Sequence, residues 1–337
     1  MPSDTTASGS TASGSAADRG PDRPDAAGPV AVLVVTWNSA KVIPGFLASL
    51  PQGMAGVDWR LVVADNDSAD DTVEVIRSLA PEATIVQTGR NAGYAAGVNA
   101  ALEAAAGWDG GFSVGLVCNP DLRMREGCAR HLVAALGAPV DGGTGGRRVG
   151  ISVPLLYEED GTLHHSLRRE SRVTRALGEA VIGNRRAGRF PRWSELVTDP
   201  SAYRRKTVAD WASGAMMALS RECLDACGAW DESFFLYSEE TEYCLRAGDH
   251  GFVTRLEPAA SAVHLGGESQ VSPRLWTLLT LNRVRLYGRR NSAPATAAFR
   301  AAVLLRETSR AALGRPASRA AARALASRTA LRATPGP

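Results

Sequence analysis

Short apolar runs alternate with helix-length segments through the first third of the chain. The runs lie at 30–35, 60–64, 84–87 and 113–118, and the longer segments between them at 40–50, 71–79 and 92–106. The first run, VAVLVV, lacks polar alternation, which is typical of a strand buried on both faces. Strands alternating with helices in this way predict an α/β fold, Rossmann-like, with a mostly parallel sheet flanked by helices.

Polar residues follow each of the four predicted strands. These residues are TWN at 36–38, DNDSAD at 65–70, GRNAGY at 89–94 and NPD at 119–121. Ligands of open parallel sheets bind outside the carboxyl ends of the strands. The four polar segments are therefore the first candidates for a binding site.

Asp65 and Asp121 are the two carboxylates directly after strands in this set. Asp65 could accept a hydrogen bond from a nucleobase imide N–H, or it could cap the following helix. Asp121 could bind Mg²⁺ or Mn²⁺ and through it a diphosphate, because hard cations prefer oxygen ligands; an ordinary Asn-Pro-Asp turn is the alternative. Arg90 and Asn91 could open a helix at a phosphate or belong to a plain loop. His264 could bind a metal or be structural.

The stretch FFLYSEETEYCLRAGDHG at 234–251 places Glu239, Glu240 and Glu242 directly after an apolar run. Acidic residues are common in the first turn of a helix, where they face the positive end of its dipole. The same residues could instead be carboxylates at the floor of a reaction site. The residues alone leave both interpretations open.

Composition separates three further regions. Residues 1–28 contain almost no bulky apolar side chain, which predicts a disordered N-terminal tail. Residues 166–206 hold eleven Arg or Lys and four acids, and we interpret them as a mobile, basic insertion. Residues 271–337 read as a basic amphipathic helical tail. Five scattered cysteines, without CxxC spacing, predict buried reduced thiols.

The net charge of +3 is unevenly distributed. From Arg283 onward there are twelve arginines and one acid, so this part carries +11 and residues 1–282 carry −8. No apolar run is long enough to span a membrane and no signal pattern opens the chain, so we expect a cytoplasmic location. The tail predicts contact with an anionic membrane surface, peripheral at the inner face of the plasma membrane. Packing against the acidic body is an alternative; nucleic acid is not expected as a partner.

Seven motifs occur in a fixed order: VVTWNS, VADNDSADDT, GRNAGYAAGVN, CNPD, ASGAMMALSRE, GAWDESFFLYSEETEYCLR and SAVHLGGES. This combination resembles the family 2 glycosyltransferases of the GT-A fold, in their bacterial rhamnosyltransferase-like branch. The resemblance covers about residues 30–290. It implies a GT-A domain at 29–270, with a nucleotide-binding half at 29–125 and an acceptor and catalytic half at 207–270.

The resemblance also implies roles for individual residues. Thr36, Asn38 and Asp65 would frame the nucleotide base and ribose, Arg90 and Asn91 would lie near the nucleotide, and Asn99, at a helix start, would support the pocket. Asn119, Ser213, Gly214 and Glu242 would line the pocket where donor and acceptor meet. Asp121 and His264 would bind Mg²⁺ or Mn²⁺, and Glu240, with Glu239 beside it, would be the general base.

The chain departs from the family pattern where Glu240 and Glu242 replace aspartates, and also at Asn119, in an Asn-Pro-Asp that replaces Asp-x-Asp, and at Asp67, which replaces a glycine. The extra methylene of glutamate adds about 1 Å of reach, and a misplacement of that size can cost about 10²-fold in rate. The resemblance implies an inverting, metal-dependent transfer of a sugar, most simply L-rhamnose from dTDP-L-rhamnose, to a cell-surface glycan or a lipid-linked acceptor. The alternative is a non-catalytic relative that binds sugar nucleotides or glycans.

Overall fold

A computed structural model describes residues 28–140, 146–266, 272–333 and 336. The predicted disordered tail, 1–28, lies outside the described residues apart from Gly28. The first half contains β1 (Val30–Thr36), α1 (Ile43–Gly53), β2 (Trp59–Asp65), α2 (Thr72–Leu79), β3 (Thr84–Gln87), α3 (Tyr94–Ala106) and β4 (Val114–Cys118). All four predicted strands are confirmed, with ends that differ from the prediction by at most one residue.

The middle of the chain adds seven strands and four helices. It contains β5 (Leu122–Met124), α4 (Cys128–Ala135), β6 (Arg148–Tyr157), β7 (Leu163–His164), β8 (Leu167–Arg168), α5 (Val173–Ile182), α6 (Asn184–Ala187), β9 (Val208–Ala209), β10 (Trp211–Ala212), β11 (Met216–Ser220) and α7 (Arg221–Cys227). The last part contains α8 (Glu239–Asp249), β12 (Phe252–His264), α9 (Pro273–Arg290), α10 (Ala293–Ala312), α11 (Pro316–Ala326) and α12 (Arg328–Arg332). None of the described helices is long and apolar enough to cross a bilayer.

The main sheet has ten strands, with the central order β3-β2-β1-β4-β11-β6-β12-β5. Strands β3, β2, β1 and β4 are parallel, as predicted. Strand β11 is antiparallel to both of its neighbours, and β12 is parallel to β6 but antiparallel to β5. Four of the seven neighbouring pairs in this order are parallel and three are antiparallel, so the sheet is mixed, with its antiparallel pairs confined to the second half of the fold.

Helices cover both faces of this sheet. Alternate residues of β1 point to opposite faces: Val32 and Val34 pack under α1 and α4, whereas Ala31 and Leu33 pack under α3, α7 and α8. Burial on both faces explains the uninterrupted apolar run of β1. All five cysteines are buried and free, so the prediction of unpaired thiols is confirmed.

The C-terminal helices form a third apolar cluster with the basic insertion. Phe299 and Leu325, from α10 and α11, pack with Tyr287 of α9 and with Ala176 of α5. The rings of Tyr287 and Phe299 stack with centroids 4.0 Å apart. The predicted helical tail is confirmed, and its helices together with α5 cover the apolar residues of this cluster.

The segment 166–206, predicted to be mobile, forms α5 and α6 and packs against the tail. The guanidinium of Arg283 lies 2.9 Å from a carboxylate oxygen of Glu179 and 2.6 Å from one of Glu195, and all three side chains are largely buried. Removing one partner of a buried ion pair typically costs about 3–5 kcal/mol. The tail therefore supplies both the apolar surface and the cation that hold the insertion in place.

Candidate active site

The carboxyl ends of β1 and β2 meet at a buried Thr–Asp pair. Thr36 and Asp65 are directly opposite in the strand register. The Thr36 hydroxyl donates to an Asp65 carboxylate oxygen at 2.8 Å, and the backbone N–H and hydroxyl of Ser68 donate at 2.9 and 2.6 Å. These donors fix the carboxylate orientation and leave it capacity for a further donor, since a carboxylate has about four acceptor sites.

Asn38 joins the loops that follow these two strands. Its side-chain oxygen accepts from the backbone N–H of Ala69 at 2.8 Å, and its own N–H donates to the Ser68 hydroxyl at 2.9 Å. Asn38 has φ of 50°, a left-handed conformation that asparagine tolerates better than most residues. Trp37, next to it, is 56% exposed. Trp37 is not among the predicted site residues. The only signal for it in the sequence was an aromatic residue directly after a predicted strand.

The third polar segment packs against the loop before α8. Arg90 is exposed, and the side-chain oxygen of Asn91 accepts from the N–H of Gly93 at 3.1 Å. Gly93 has φ of 97°, and any Cβ there would overlap the carbonyl of Phe235. The Tyr94 N–H donates to that carbonyl at 2.8 Å. The N–H of Tyr94, the first residue of α3, thus has a protein acceptor. Arg90 and Asn91 lie just before this helix start.

Asn99 lies inside α3 and not at its start, because the helix begins at Tyr94. Its side chain accepts from the Trp230 N–H at 2.8 Å and donates to the Trp230 carbonyl at 3.0 Å. These two bonds attach α3 to the segment that leads into the acidic stretch. The structure places Asn99 against the backbone of Trp230, and its predicted support of the pocket stays a prediction.

Tyr94 is the residue at which the two halves of the domain meet. Its hydroxyl donates to the side-chain oxygen of Asn119 at 3.0 Å, and the N–H of Asn119 donates to the Ala215 carbonyl at 2.9 Å. Burial raises the pKa of Tyr94 well above its usual range, and the negative charges of Cys118, Glu239, Glu240 and Asp121 raise it further. Tyr94 thus joins the Asn-Pro-Asp segment, which contains Asp121, to the loop before α8.

Glu239 and Glu240 open α8 but are not solvated. Glu239 is 3% exposed, and burial, followed by the charge of Glu240, raises its pKa to about 8. Burial also raises the pKa of Glu240, and the positive charge of Arg168 acts in the opposite direction. One oxygen of each carboxylate is buried without a hydrogen-bond partner in the described part of the chain. A buried carboxylate pair with a raised pKa is a candidate for acid–base chemistry.

Gly214 lies directly against Glu240. A Cβ on Gly214 would lie 3.0 Å from the Cβ of Glu240 and 3.2 Å from its Cγ. The missing side chain therefore leaves room for the Cβ and Cγ of Glu240, atoms that an aspartate would place there as well. The neighbouring Ser213 N–H donates to the Ser166 carbonyl at 3.0 Å, so the floor of the site is tied to the insertion.

Glu242 has a structural partner. Its two oxygens lie 2.9 and 2.8 Å from the guanidinium of Arg246, which also donates to the carbonyls of Cys227 and Ala229. Residues two apart on a helix do not face each other, so Glu242 points away from Glu240. The structure therefore places Glu242 in an ion pair that holds α8 against the end of α7.

Two residues outside the predicted set support the carboxylate pair. Arg168 donates to the carbonyls of His165 and Leu167, and its charge favours the ionised form of Glu240. Asn282 of α9 is fully buried, and its amide nitrogen lies within hydrogen-bond distance of three carbonyls of the loop before α8. These acceptors are Phe234, Leu236 and Tyr237, at 2.8, 2.9 and 3.1 Å. An asparagine within an apolar helical stretch was the only available signal for Asn282.

Asp121 and His264 form the candidate metal site. The Nε2 atom of His264 lies 3.4 Å from Oδ1 of Asp121, which is buried and has no hydrogen-bond partner among the described residues. A Cβ on Gly266 would lie 2.8 and 3.0 Å from ring atoms of His264 and 3.4 Å from Oδ2 of Asp121. No group of three His, Cys, Asp or Glu in the described ranges could hold a metal. A divalent cation would therefore take further oxygen ligands from substrate or water.

A family model matches just under half of this chain. Residues 31–193 match the model of glycosyl transferase family 2. With its mixed sheet, the chain has the GT-A fold of this family and is a glycosyltransferase. The comparison supports an enzyme over the non-catalytic relative that the sequence left open.

The chain is similar to one curated enzyme in particular, the N-acetylglucosaminyl-diphospho-decaprenol L-rhamnosyltransferase of Mycobacterium tuberculosis. The two are 28% identical over 247 residues, which cover 69% of this chain and 75% of the relative. The mannosyltransferase PcManGT from Pyrobaculum calidifontis, solved with GDP-Man and Mn²⁺, aligns over 92% of this chain and 80% of its own, with a TM-score of 0.52 and 18% identity.

GalNAc-T7, solved with UDP, GalNAc and Mn²⁺, aligns with a TM-score of 0.50 and 15% identity. The match covers 78% of this chain and 48% of that chain, so this protein spans about half of its length. At these identities the two solved structures establish the fold.

Proposed function

We propose that this protein is an inverting, metal-dependent glycosyltransferase that moves L-rhamnose from dTDP-L-rhamnose to a lipid-linked or cell-surface glycan. The observation that supports it best is the arrangement around Tyr94. Its hydroxyl donates to Asn119, two residues before the candidate metal ligand Asp121, and its N–H donates to the Phe235 carbonyl in the loop that leads to Glu239 and Glu240. A donor diphosphate and an acceptor hydroxyl could therefore be bound side by side.

The first two strands would bind the nucleoside. The Asp65 carboxylate, held by Thr36 and Ser68, has capacity to accept the imide N–H of a thymine base. The exposed indole of Trp37 offers a flat apolar surface beside it, on which a base can stack. Asn38 would border the ribose, and Arg90, an exposed cation in the third loop, would face the negatively charged diphosphate.

Asp121 and His264 would hold the divalent cation. A buried oxygen without a partner, 3.4 Å from an imidazole nitrogen, fits a site that a cation completes. Mg²⁺ and Mn²⁺ both accept this ligand set. When bound, the cation would neutralise charge on the departing nucleoside diphosphate.

Glu240 would act as the general base. Its carboxylate takes the proton of the acceptor hydroxyl while that oxygen bonds to the anomeric carbon and the bond from that carbon to the diphosphate breaks. One displacement from the opposite face inverts the configuration, with no covalent intermediate on the protein. Arg168 favours the ionised form of Glu240, whereas Glu239, with its pKa raised to about 8, holds a proton at neutral pH.

The choice of donor and acceptor rests on the similarity to the mycobacterial enzyme, whose name gives an L-rhamnosyl transfer to a decaprenol-linked amino sugar. By analogy, the acceptor of this chain would be a glycan on a lipid diphosphate. Such an acceptor lies at a membrane surface, so the enzyme would work at the cytoplasmic face of the plasma membrane.

Calorimetric titration tests the proposal. We would titrate dTDP, UDP and GDP into the full chain with and without Mn²⁺, and repeat the series with Asp121→Ala and with Asp58→Ala, an exposed control. We expect binding of dTDP that depends on Mn²⁺, is lost in Asp121→Ala and is retained in Asp58→Ala. Binding of UDP or GDP in preference to dTDP would refute the donor, and binding unaffected by Asp121→Ala would refute the metal site.

A further inference from the structure

A group of exposed apolar side chains lies on the basic insertion and is not used by the proposed reaction. The docking face, as we define it, consists of Leu177, Val181, Ile182, Phe190 and Trp193. Their exposed fractions range from 40% for Leu177 to 78% for Val181. Half of the ten large apolar residues that are exposed in the described part of the chain lie within these seventeen positions.

The five residues belong to one packed unit. Leu177 and Val181 are four apart on α5 and therefore lie on one side of the helix. The segment after α6 runs back along α5: a guanidinium nitrogen of Arg175 donates to the Pro191 carbonyl at 2.9 Å, and Gly178 lies against the backbone of Trp193. Phe190 and Trp193 are thus brought next to the helix that presents Val181.

The charge around the docking face has one sign. Five exposed arginines occupy the same segment, at positions 172, 185, 186, 189 and 192. The only acid between 171 and 193 is Glu179, which is buried and paired with Arg283. A monomeric surface rarely keeps several large apolar residues together in water without using them. Apolar residues bordered by unpaired arginines match the chemistry of a bilayer with anionic lipid headgroups.

We infer that the docking face attaches the enzyme to anionic lipid bilayers. The apolar side chains enter the boundary between headgroups and acyl chains, and the arginines contact lipid phosphates. The use of this attachment rests on the proposed function, because it would bring the site to a lipid-linked acceptor; the attachment itself can be measured independently. It is placed on the insertion and not on the C-terminal tail, where the apolar cluster around Phe299 and Leu325 is buried and, among the described residues, only two large apolar side chains, Leu305 and Leu313, are exposed.

Helix α9 connects the docking face to the reaction site. Arg283 binds Glu179 of α5, and the preceding residue, Asn282, binds the loop that leads to Glu239 and Glu240. Ser166, the first residue of the insertion, accepts a hydrogen bond from the N–H of Ser213. The bilayer-facing surface is therefore held at a defined position relative to the carboxylate pair.

Vesicle flotation of the full chain tests the inference. One set of vesicles is phosphatidylcholine alone, and the other adds phosphatidylglycerol in about a 3:1 ratio. We expect binding to the anionic vesicles only, reduced roughly 10-fold or more by Val181→Asp with Phe190→Asp, and likewise by Arg186→Glu with Arg189→Glu. Leu79→Asp, at an exposed apolar position on α2, is the matched control and should bind as the parent does.

A tail variant, Arg319→Glu with Arg323→Glu on the exposed surface of α11, tests whether the tail contributes to vesicle binding. Loss of binding in this tail variant, with full binding in the docking-face variants, would overturn the inference. So would arginine-dependent binding of duplex DNA without binding of vesicles. All substituted side chains are exposed, so thermal unfolding should be unchanged. Retained dTDP binding in the docking-face variants separates a failure of attachment from a failure of the proposed function.

Discussion

The protonation of Glu239 makes a quantitative prediction about stability. The carboxylate has a pKa of about 8 in the folded protein and 4.5 in the unfolded chain, because it is buried beside Glu240. The folded state therefore keeps a proton that the unfolded state releases between these pH values. The contribution of this group is fully present below pH 4.5 and is lost as pH rises toward 8.

Glu239→Gln removes this dependence while preserving the size of the side chain. Each pH unit corresponds to about 1.4 kcal/mol, so the free energy of unfolding of the variant, relative to the parent, should increase by roughly 3 kcal/mol between pH 5 and pH 7.5. We would measure urea unfolding of both proteins at several pH values in this interval. Glu82→Gln, at an exposed position, serves as the control and should differ from the parent by a constant amount.

A difference between Glu239→Gln and the parent that does not change with pH would refute the reasoning. It would mean that the two carboxylates share their proton differently, with Glu239 ionised and Glu240 protonated. Glu240 would then be unsuited to act as the base at neutral pH. The stability measurement thus also tests the assignment of roles within the pair, without a substrate.

Three further outcomes are expected. Glu240→Gln should lower kcat by about 10²–10⁴-fold with unchanged dTDP binding, as measured by sugar transfer and calorimetry; a smaller loss would point to another base. Asn282→Leu should cost about 1–3 kcal/mol in urea unfolding, because three loop carbonyls lose their donor, and should lower kcat/KM; an unchanged kcat/KM would show that the loop does not need this anchor. Gly266→Ala should weaken Mn²⁺-dependent nucleotide binding about 10-fold by displacing His264, whereas Gly248→Ala, in open space on α8, should leave it unchanged; equal effects of the two would argue against the site.

The edge of the sheet at which the candidate binding residues lie could be predicted from the sequence, because the features that mark it are local. Each apolar run is bounded by polar residues, so Asp65 and Asp121 were located by their position directly after a strand. The two-residue period of strands and the length of the helices suffice for this inference. The mixed second half could not be read in the same way, since β9, β10 and β11 are short and pair with strands distant in the sequence.

The environment of the acidic stretch depended on distant residues. Nothing near Glu239 in the sequence shows that it is buried, because burial comes from packing against other elements. The different roles of Glu242 and Glu240 follow only from their positions on the helix and from the partner Arg246 of Glu242. Asn282 was missed because its acceptors lie some 45 positions earlier in the chain.

The sequence by itself determined the class of fold, the order of its motifs and the residues from which a site could be built. Those properties follow from local periodicity and residue chemistry. The tertiary structure decided which carboxylates hold protons, which pair with cations and which apolar residues stay exposed. Such properties depend on solvent exclusion and on contacts between residues far apart in the chain. The ion pair between Arg283 of the tail and Glu179 of the insertion is one such contact.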